Sequence, residues 1–228
     1  AGPVTGAKAV PMVGAWTPEH GACCPLAAFP PGSDRPRILV TFYRAYLTAA
    51  DLAPVKALFG AFRARGFDVA GLFAPSLKAA EPAGWLARQV AFAQPAAIVN
   101  VTSFSGKGDD GTSPLDAAGV PVFQMALATS GEAAWAESER GLSPPDLAMH
   151  VVLPEVDGRV FAGVGSFKEP GALDEDLQFS RYCHKPQAGR VEAVADRVAR
   201  WVALAHKPAA EKRPALVLST YPGKDWNM

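Results

Sequence analysis

The sequence predicts an α/β fold built on a doubly wound, mostly parallel sheet. Short apolar runs rich in Val, Ile, Leu and Phe alternate along the chain with longer stretches whose apolar residues recur at helical spacing. The short runs are apolar at consecutive positions, the pattern of parallel strands buried on both faces. Hydrophobic residues make up 49% of the chain against 19% charged, enough for a sizeable core in one large domain. Right-handed crossovers between successive strands then put helices on both faces, an arrangement flavodoxin-like in outline.

Residues 1–36 are rich in Pro, Gly and Ala without a sustained period, and read as an irregular, extended N-terminal arm or the end of a preceding domain. The α/β domain spans 37–228 and reads as truncated at its C-terminal end. Ile38–Tyr43 is the first strand. Ala49–Arg65 places Leu52, Val55, Leu58, Phe59 and Phe62 on one helical face and ends at Gly66. Asp68–Phe73 is a second strand. Pro82–Gln94 is a helix with Trp85, Leu86 and Val90 inward. Ala97–Val101 and Val120–Leu127 are further strands, with a short helix over Gly131–Ser138. Arg159–Gly165 is a strand leading into a polar loop through Lys168 and Glu169. Gln187–His206 is a helix whose stripe of Val191, Val194, Val198, Trp201, Val202 and Ala205 faces the core, with Arg190, Arg197 and Arg200 on the solvated side. Pro214–Thr220 is a last buried strand.

Lysine plus arginine balance aspartate plus glutamate at 22 each, which removes the electrostatic signature of a general nucleic-acid binder. No apolar run approaches the ~20 residues needed to span a bilayer, so no membrane partner is expected. Three cysteines make no disulfide framework, and their odd number suits a reducing, cytoplasmic compartment. His20, Cys23 and Cys24 invite a metal reading, but vicinal cysteines do not easily direct both sulfurs to one tetrahedral centre. No metal site is assigned. The chain starts at Ala1 and stops at Asn227-Met228 just past strand-type sequence, and so reads as a piece of a longer polypeptide.

In such sheets ligands bind beyond the carboxyl ends of the strands. That rim carries Arg44, Ser76 with Lys78, the loop Ser103–Asp110, Thr129 with Ser130, and Tyr221–Asp225. The loop SFSGKGDDGTS, with Ser103, Ser105 and Lys107, has glycines and hydroxyls fit to line a ligand. It lacks the spacing of a phosphate loop, and neither a GxGxxG nor a GxSxG motif is present. No nucleophile–base pair can be assembled, so no catalytic residue is assigned. His150 reads as a core or helix-edge residue, His184 as a loop residue and His206 as a helix C-terminal one.

The stretch Gly141–Gly158, GLSPPDLAMHVVLPEVDG, is the most distinctive. Ser143 can N-cap a helix with Pro144 in its first turn, and the apolar run is cut at Pro154. Glu155 and Asp157 then flank Val156 before a Gly158 turn. They read as solvated acids of a turn, with a polar site as the alternative.

Several stretches in order, ILVTFYRAYLTAADLAPVKALFGAFRARGFDVAGLFAPSLK, GVPVFQMALA, GLSPPDLAMHVVLPEVDGRV and SFKE, resemble the large subunit of aerobic cobaltochelatase (CobN type), with the magnesium chelatase large subunit as a more distant relative. The resemblance covers roughly Arg37 to Met228. It implies ATP-dependent insertion of Co(II), as substrate, into hydrogenobyrinic acid a,c-diamide during cobalamin synthesis. It also implies two smaller partner subunits that form the ATPase motor and use ATP and Mg, and no cofactor held by this segment. The family's HGxxEW-type segment is absent from these 228 residues, so the fragment alone is expected to be inactive. The corrin precursor carries carboxylates and amides at its edge. Arg44, Lys107 and Lys168 suit the carboxylates, Gln124 the amides, and Glu155 and Asp157 have groups suited to protons or metal. The competing expectation is a scaffold or docking domain of that subunit which does not touch the ring.

Overall fold

A computed structural model of the chain describes residues 9–23, 25 and 34–217. Their strands are β1 (Gly14–Thr17), β2 (Gly21–Cys23), β3 (Arg37–Tyr43), β4 (Asp68–Ala74), β5 (Ala97–Asn100), β6 (Val122–Leu127), β7 (Val160–Asp174) and β8 (Phe179–Pro186). They form one sheet in the order β2-β1-β4-β3-β5-β6-β7-β8. Pairing is parallel across β4-β3-β5-β6-β7 and antiparallel at both edges. The five parallel strands thus follow the flavodoxin-like order, second-first-third-fourth-fifth.

Strand alternation sorts the core into two faces. Ile38, Val40 and Phe42 of β3, Val69 and Phe73 of β4, and Val99 of β5 pack with Val55, Leu58, Phe59 and Phe62 of α2 (Ala53–Ala64). Val191, Val194, Val198 and Val202 of α7 (Ala188–His206) complete that face. Leu39, Leu72 and Ile98 point to the other face, against Leu86 and Val90 of α3 (Ala80–Ala93). Each fully buried Phe or Leu here contributes about 1.5–3 kcal/mol. The remaining helices are α1 (Arg44–Thr48), α4 (Glu132–Glu137), α5 (Pro144–Leu147) and α6 (Leu153–Val156).

Six expectations change. The N-terminal arm is not wholly irregular: Gly14–Thr17 and Gly21–Cys23 extend the sheet, with buried Trp16 edge-on to Phe42 and Phe59. The sequence signal was weak because two strands this short carry no readable period. The polar loop expected through Lys168 and Glu169 is the continuation of β7, which pairs with β8 in a hairpin missed in the sequence because most of its residues are exposed. Trp201 and Ala205 lie outside the core stripe. Trp201 is 45% exposed and meets Phe123 edge-on at 5.7 Å, because only the arc through Val191, Val194, Val198 and Val202 faces the sheet.

Arg190 and Arg197 are not simply solvated. Arg190 donates to Val164 O and lies over the Trp135 ring, and Arg197 donates to Phe161 O and Ala162 O, beside the register shifts between β6 and β7. The residues 214–217 are exposed and not in a strand; the rest of that expected strand, and Tyr221–Asp225, lie outside the described residues, as does Cys24.

The sixth change concerns Pro154, which does not end the helix. Ser143 caps α5 by accepting from Asp146 N, as expected, and helical backbone runs on through Ala148–Val152 into α6, ending at Gly158 with φ 86°. Ala148–Val152 is a π turn, in which Leu153 N–H reaches back to Ala148 O. A proline interrupts an α-helix by lacking N–H and by crowding the carbonyl four residues earlier. Widening the turn just ahead of it accommodates both defects.

Candidate functional site

The strand order reverses between β3 and β5, and the crevice outside that point is where such sheets take ligands. An open cleft of about 480 Å³ sits there, lined by Tyr43, Arg44, Thr48, Pro75, Ser76 and Phe104. These come from the end of β3 and the following α1, from the turn after β4, and from the loop after β5. Its walls are two aromatic rings, a proline, hydroxyls and one guanidinium.

A buried polar network supports the loop that carries Phe104. Thr41 Oγ1 donates to Asn100 Oδ1 at 2.6 Å, and Asn100 Nδ2 donates to Gln124 Oε1 at 2.7 Å. Gln124 Nε2 donates to Thr102 O, and Arg159 Nη1 donates to Gln124 Oε1 at 3.2 Å. Arg159 Nη2 then meets Asp157 Oδ2 at 3.0 Å, with both side chains almost wholly excluded from solvent. Asp157 in turn accepts from Ser105 Oγ at 2.7 Å and from Gly106 N at 2.6 Å. The chain therefore runs from the sheet to the Ser103–Lys107 loop without a break. Gly106 is required there: a Cβ would lie 2.5 Å from Arg159 Nη2 and 2.9 Å from Leu77 Cδ1.

Asp157 is thus not the solvated turn acid that its Asp-Gly context predicts. It is buried because the Gly158 turn folds its side chain under the loop, where Arg159 and two loop donors satisfy it. Burial pulls the Arg159 guanidinium below its usual range, with Asp157 opposing, yet arginine stays charged. Glu155 is exposed, at the end of α6. Gln124 is fully buried and its amide is taken up by protein groups. Ser103 contributes its carbonyl, which accepts from Tyr43 OH at 2.6 Å. Lys107 is half-buried, and its N–H reaches Ser105 Oγ. Arg44 lines the cleft while donating to Val10 O and Pro11 O, both at 2.8 Å, so it also ties the arm to the rim. Lys168 stands on β7, opposite His184 of β8.

The family model for CobN/magnesium chelatase matches residues 5–228. The chain belongs to the CobN/magnesium chelatase family. It is 36% identical over 197 residues to the aerobic cobaltochelatase subunit CobN of Sinorhizobium sp, covering 85% of this chain and 16% of that protein. It is 27% identical over 202 residues to the H-type protein of magnesium chelatase from Cereibacter sphaeroides, covering 78% of this chain and 16% of that one. The solved catalytic subunit of cobaltochelatase from Mycobacterium tuberculosis superposes with a TM-score of 0.70 at 29% identity, over 90% of this chain and 17% of that chain. The chain therefore spans about a sixth of the relatives it matches.

Within this family fold, sequence reasoning put Ser103 and Ser105 on the rim and named Gln124 and Asp157 as separate candidates, but missed Arg159, which bonds to both Gln124 and Asp157. It also passed over a second polar cluster beneath the π turn. His150 is 3% exposed there, with Nε2 3.9 Å from Asp146 Oδ1 and Nδ1 without a hydrogen-bond partner. Asp146 accepts from Thr129 N and Oγ1. His184 Nδ1 pairs with Ser166 Oγ at 3.1 Å, while His184 N donates to Asp51 Oδ1. Burial lowers the pKa of both histidines, to about 4 for His184, against opposing carboxylates at Asp146 and Asp51. The two histidines lie 34 residues apart on different elements and leave no sequence signal of their common burial. Among the described residues no group of three or more His, Cys, Asp or Glu is placed to hold a metal ion. No helix among them is long and apolar enough to cross a membrane.

Proposed function

We propose that this chain is the segment of a cobaltochelatase large subunit that helps hold the corrin precursor, with the cleft at the end of β3 as its contact. The observation that carries this is the cleft's composition at the strand-order reversal. Tyr43 and Phe104 offer ring faces to a conjugated macrocycle, and Arg44 offers charge-assisted bonds to its peripheral carboxylates. The 36% identity to CobN proteins, against 26–27% to magnesium-chelatase subunits, favours the cobalt reaction over the equivalent magnesium one. On this reading the complete subunit is a cytoplasmic ligase. With two smaller ATP-hydrolysing subunits it inserts Co(II) into hydrogenobyrinic acid a,c-diamide on the way to cobalamin. This segment binds and orients the ring without performing the insertion alone.

A second reading, a docking domain within the subunit, draws on the β7–β8 hairpin, where Leu173, Leu177, Phe179 and Tyr182 are all exposed. Titration of the 228-residue protein with hydrogenobyrinic acid a,c-diamide, followed by absorbance, separates the two. Saturable binding that weakens on Arg44→Ala supports the cleft. No binding at any concentration leaves the docking reading in its place.

A further inference from the structure

Phe104 is a bulky residue held at φ 66°, in the left-handed region that such side chains rarely adopt. Phe104 is 47% exposed and lines the cleft. An exposed aromatic on a strained backbone persists only where its surroundings over-determine the conformation, and here they do so from four sides.

Tyr43 OH donates to Ser103 O just before it, and Arg159 Nη1 reaches Phe104 O at 3.5 Å. Asp157 holds Ser105 Oγ and Gly106 N just after it. The fourth anchor is Phe104 N, which donates to Met149 O at 2.8 Å. That carbonyl is available for a reason written in the sequence. In a continuous α-helix Met149 O would accept from Leu153 N, but the π turn sends Leu153 N to Ala148 O. The next candidate along a π ladder is Pro154, which has no N–H. Pro154 thus leaves Met149 O free, and the Phe104 amide takes it.

We infer that Phe104 is a ring-binding residue, displayed by the Asp157–Arg159 pair and by the Met149 carbonyl so that its face stacks on the conjugated macrocycle in the cleft. The inference rests on the function proposed above and deepens it. Asp157, Arg159 and Pro154 act as positioning residues: the first two bond to the loop, and Pro154 acts through the Met149 carbonyl. Tyr43, whose hydroxyl is bonded to Ser103 O beside Phe104, also lines the cleft and supplies the second ring face.

The test separates stacking from support of the fold. Glycine adopts φ 66° without strain, so Phe104→Gly is expected to leave Tm unchanged or raise it while weakening hydrogenobyrinic acid a,c-diamide about tenfold. Phe104→Asn also tolerates this backbone and is expected to lose the same affinity. Phe104→Tyr keeps a ring and is expected to stay within about twofold of the parent. If Phe104→Gly and Phe104→Asn fold and bind as tightly as the parent, the stacking role is wrong while the cleft assignment stands. If the parent protein does not bind the precursor, the cleft assignment falls and the stacking role with it.

Discussion

Asp157 and Arg159 form an ion pair at 3.0 Å with side chains only 1% and 3% exposed, two residues apart across the Gly158 turn. The pair links the buried amides of the sheet to the loop that carries Phe104. Breaking one partner leaves a charge stranded in the interior, which costs more than the pair itself contributes. Asp157→Asn is therefore expected to destabilise the protein by about 3–5 kcal/mol, and Asp157→Asn with Arg159→Met by distinctly less than the sum of the two single changes. Urea unfolding of the four proteins measures this. Strict additivity would show that the two side chains act independently.

Gln124 supports that pair from below. It accepts from Asn100 Nδ2 and Arg159 Nη1 and donates to Thr102 O. Gln124→Leu keeps the volume roughly constant but removes one partner from each, leaving Asn100 Nδ2 and Thr102 O only their mutual bond at 3.2 Å and Arg159 Nη1 only the 3.5 Å contact to Phe104 O. The expected loss is about 3 kcal/mol, read from the denaturation midpoint. A loss below ~0.5 kcal/mol would mean that other groups satisfy all three.

Stability should fall on mild acidification through His184. Its pKa in the folded protein, about 4, lies below the 6.5 of an unperturbed imidazole, chiefly because it is buried. Asp51 and Asp146 oppose that shift, while Lys168 and His150 add to it. Between those two values the unfolded chain binds more protons, so stability is complete above about pH 6.5 and declines as pH falls toward 4. The contribution is on the order of 3 kcal/mol. Thermal unfolding at pH 7.5 and 5 should show a smaller difference for His184→Gln than for the parent. Equal differences would assign the acid sensitivity elsewhere.

Arg44 has a structural duty that can be measured apart from ligand. Its two bonds to Val10 O and Pro11 O tie down the approach to β1. Arg44→Ala is expected to speed amide hydrogen exchange across Ala15–Thr17 by roughly tenfold, as about 1–2 kcal/mol of local anchoring is lost. Unchanged exchange would show that sheet pairing alone holds the arm.

The parallel core is legible in the amino-acid sequence because burial on both faces demands consecutive apolar residues, as in Ile38–Phe42 and Val122–Leu127, and because α2 and α7 carry clear helical stripes. The same local logic correctly placed the Ser143 cap and the Gly158 turn, both properties of a few adjacent residues. It failed at the hairpin of β7 and β8 and at β1 and β2, where pairing is set by a neighbouring strand and not by the segment's own pattern. It failed at Trp201 because helical spacing defines a face but not how wide an arc the sheet covers.

The candidate site divides along the same line. Sequence alone determined that the loop after β5 and the residues around Arg44 share a rim, since parallel topology puts every strand's carboxyl end on one edge. Only the tertiary structure decided that Asp157 turns inward to Arg159, that the π turn carries the chain past Pro154, and that Met149 O meets Phe104 N. The bonds that tie this segment to the loop after β5 join residues 45 to 55 positions apart, and their strength comes from exclusion of water, which no stretch of chain achieves by itself.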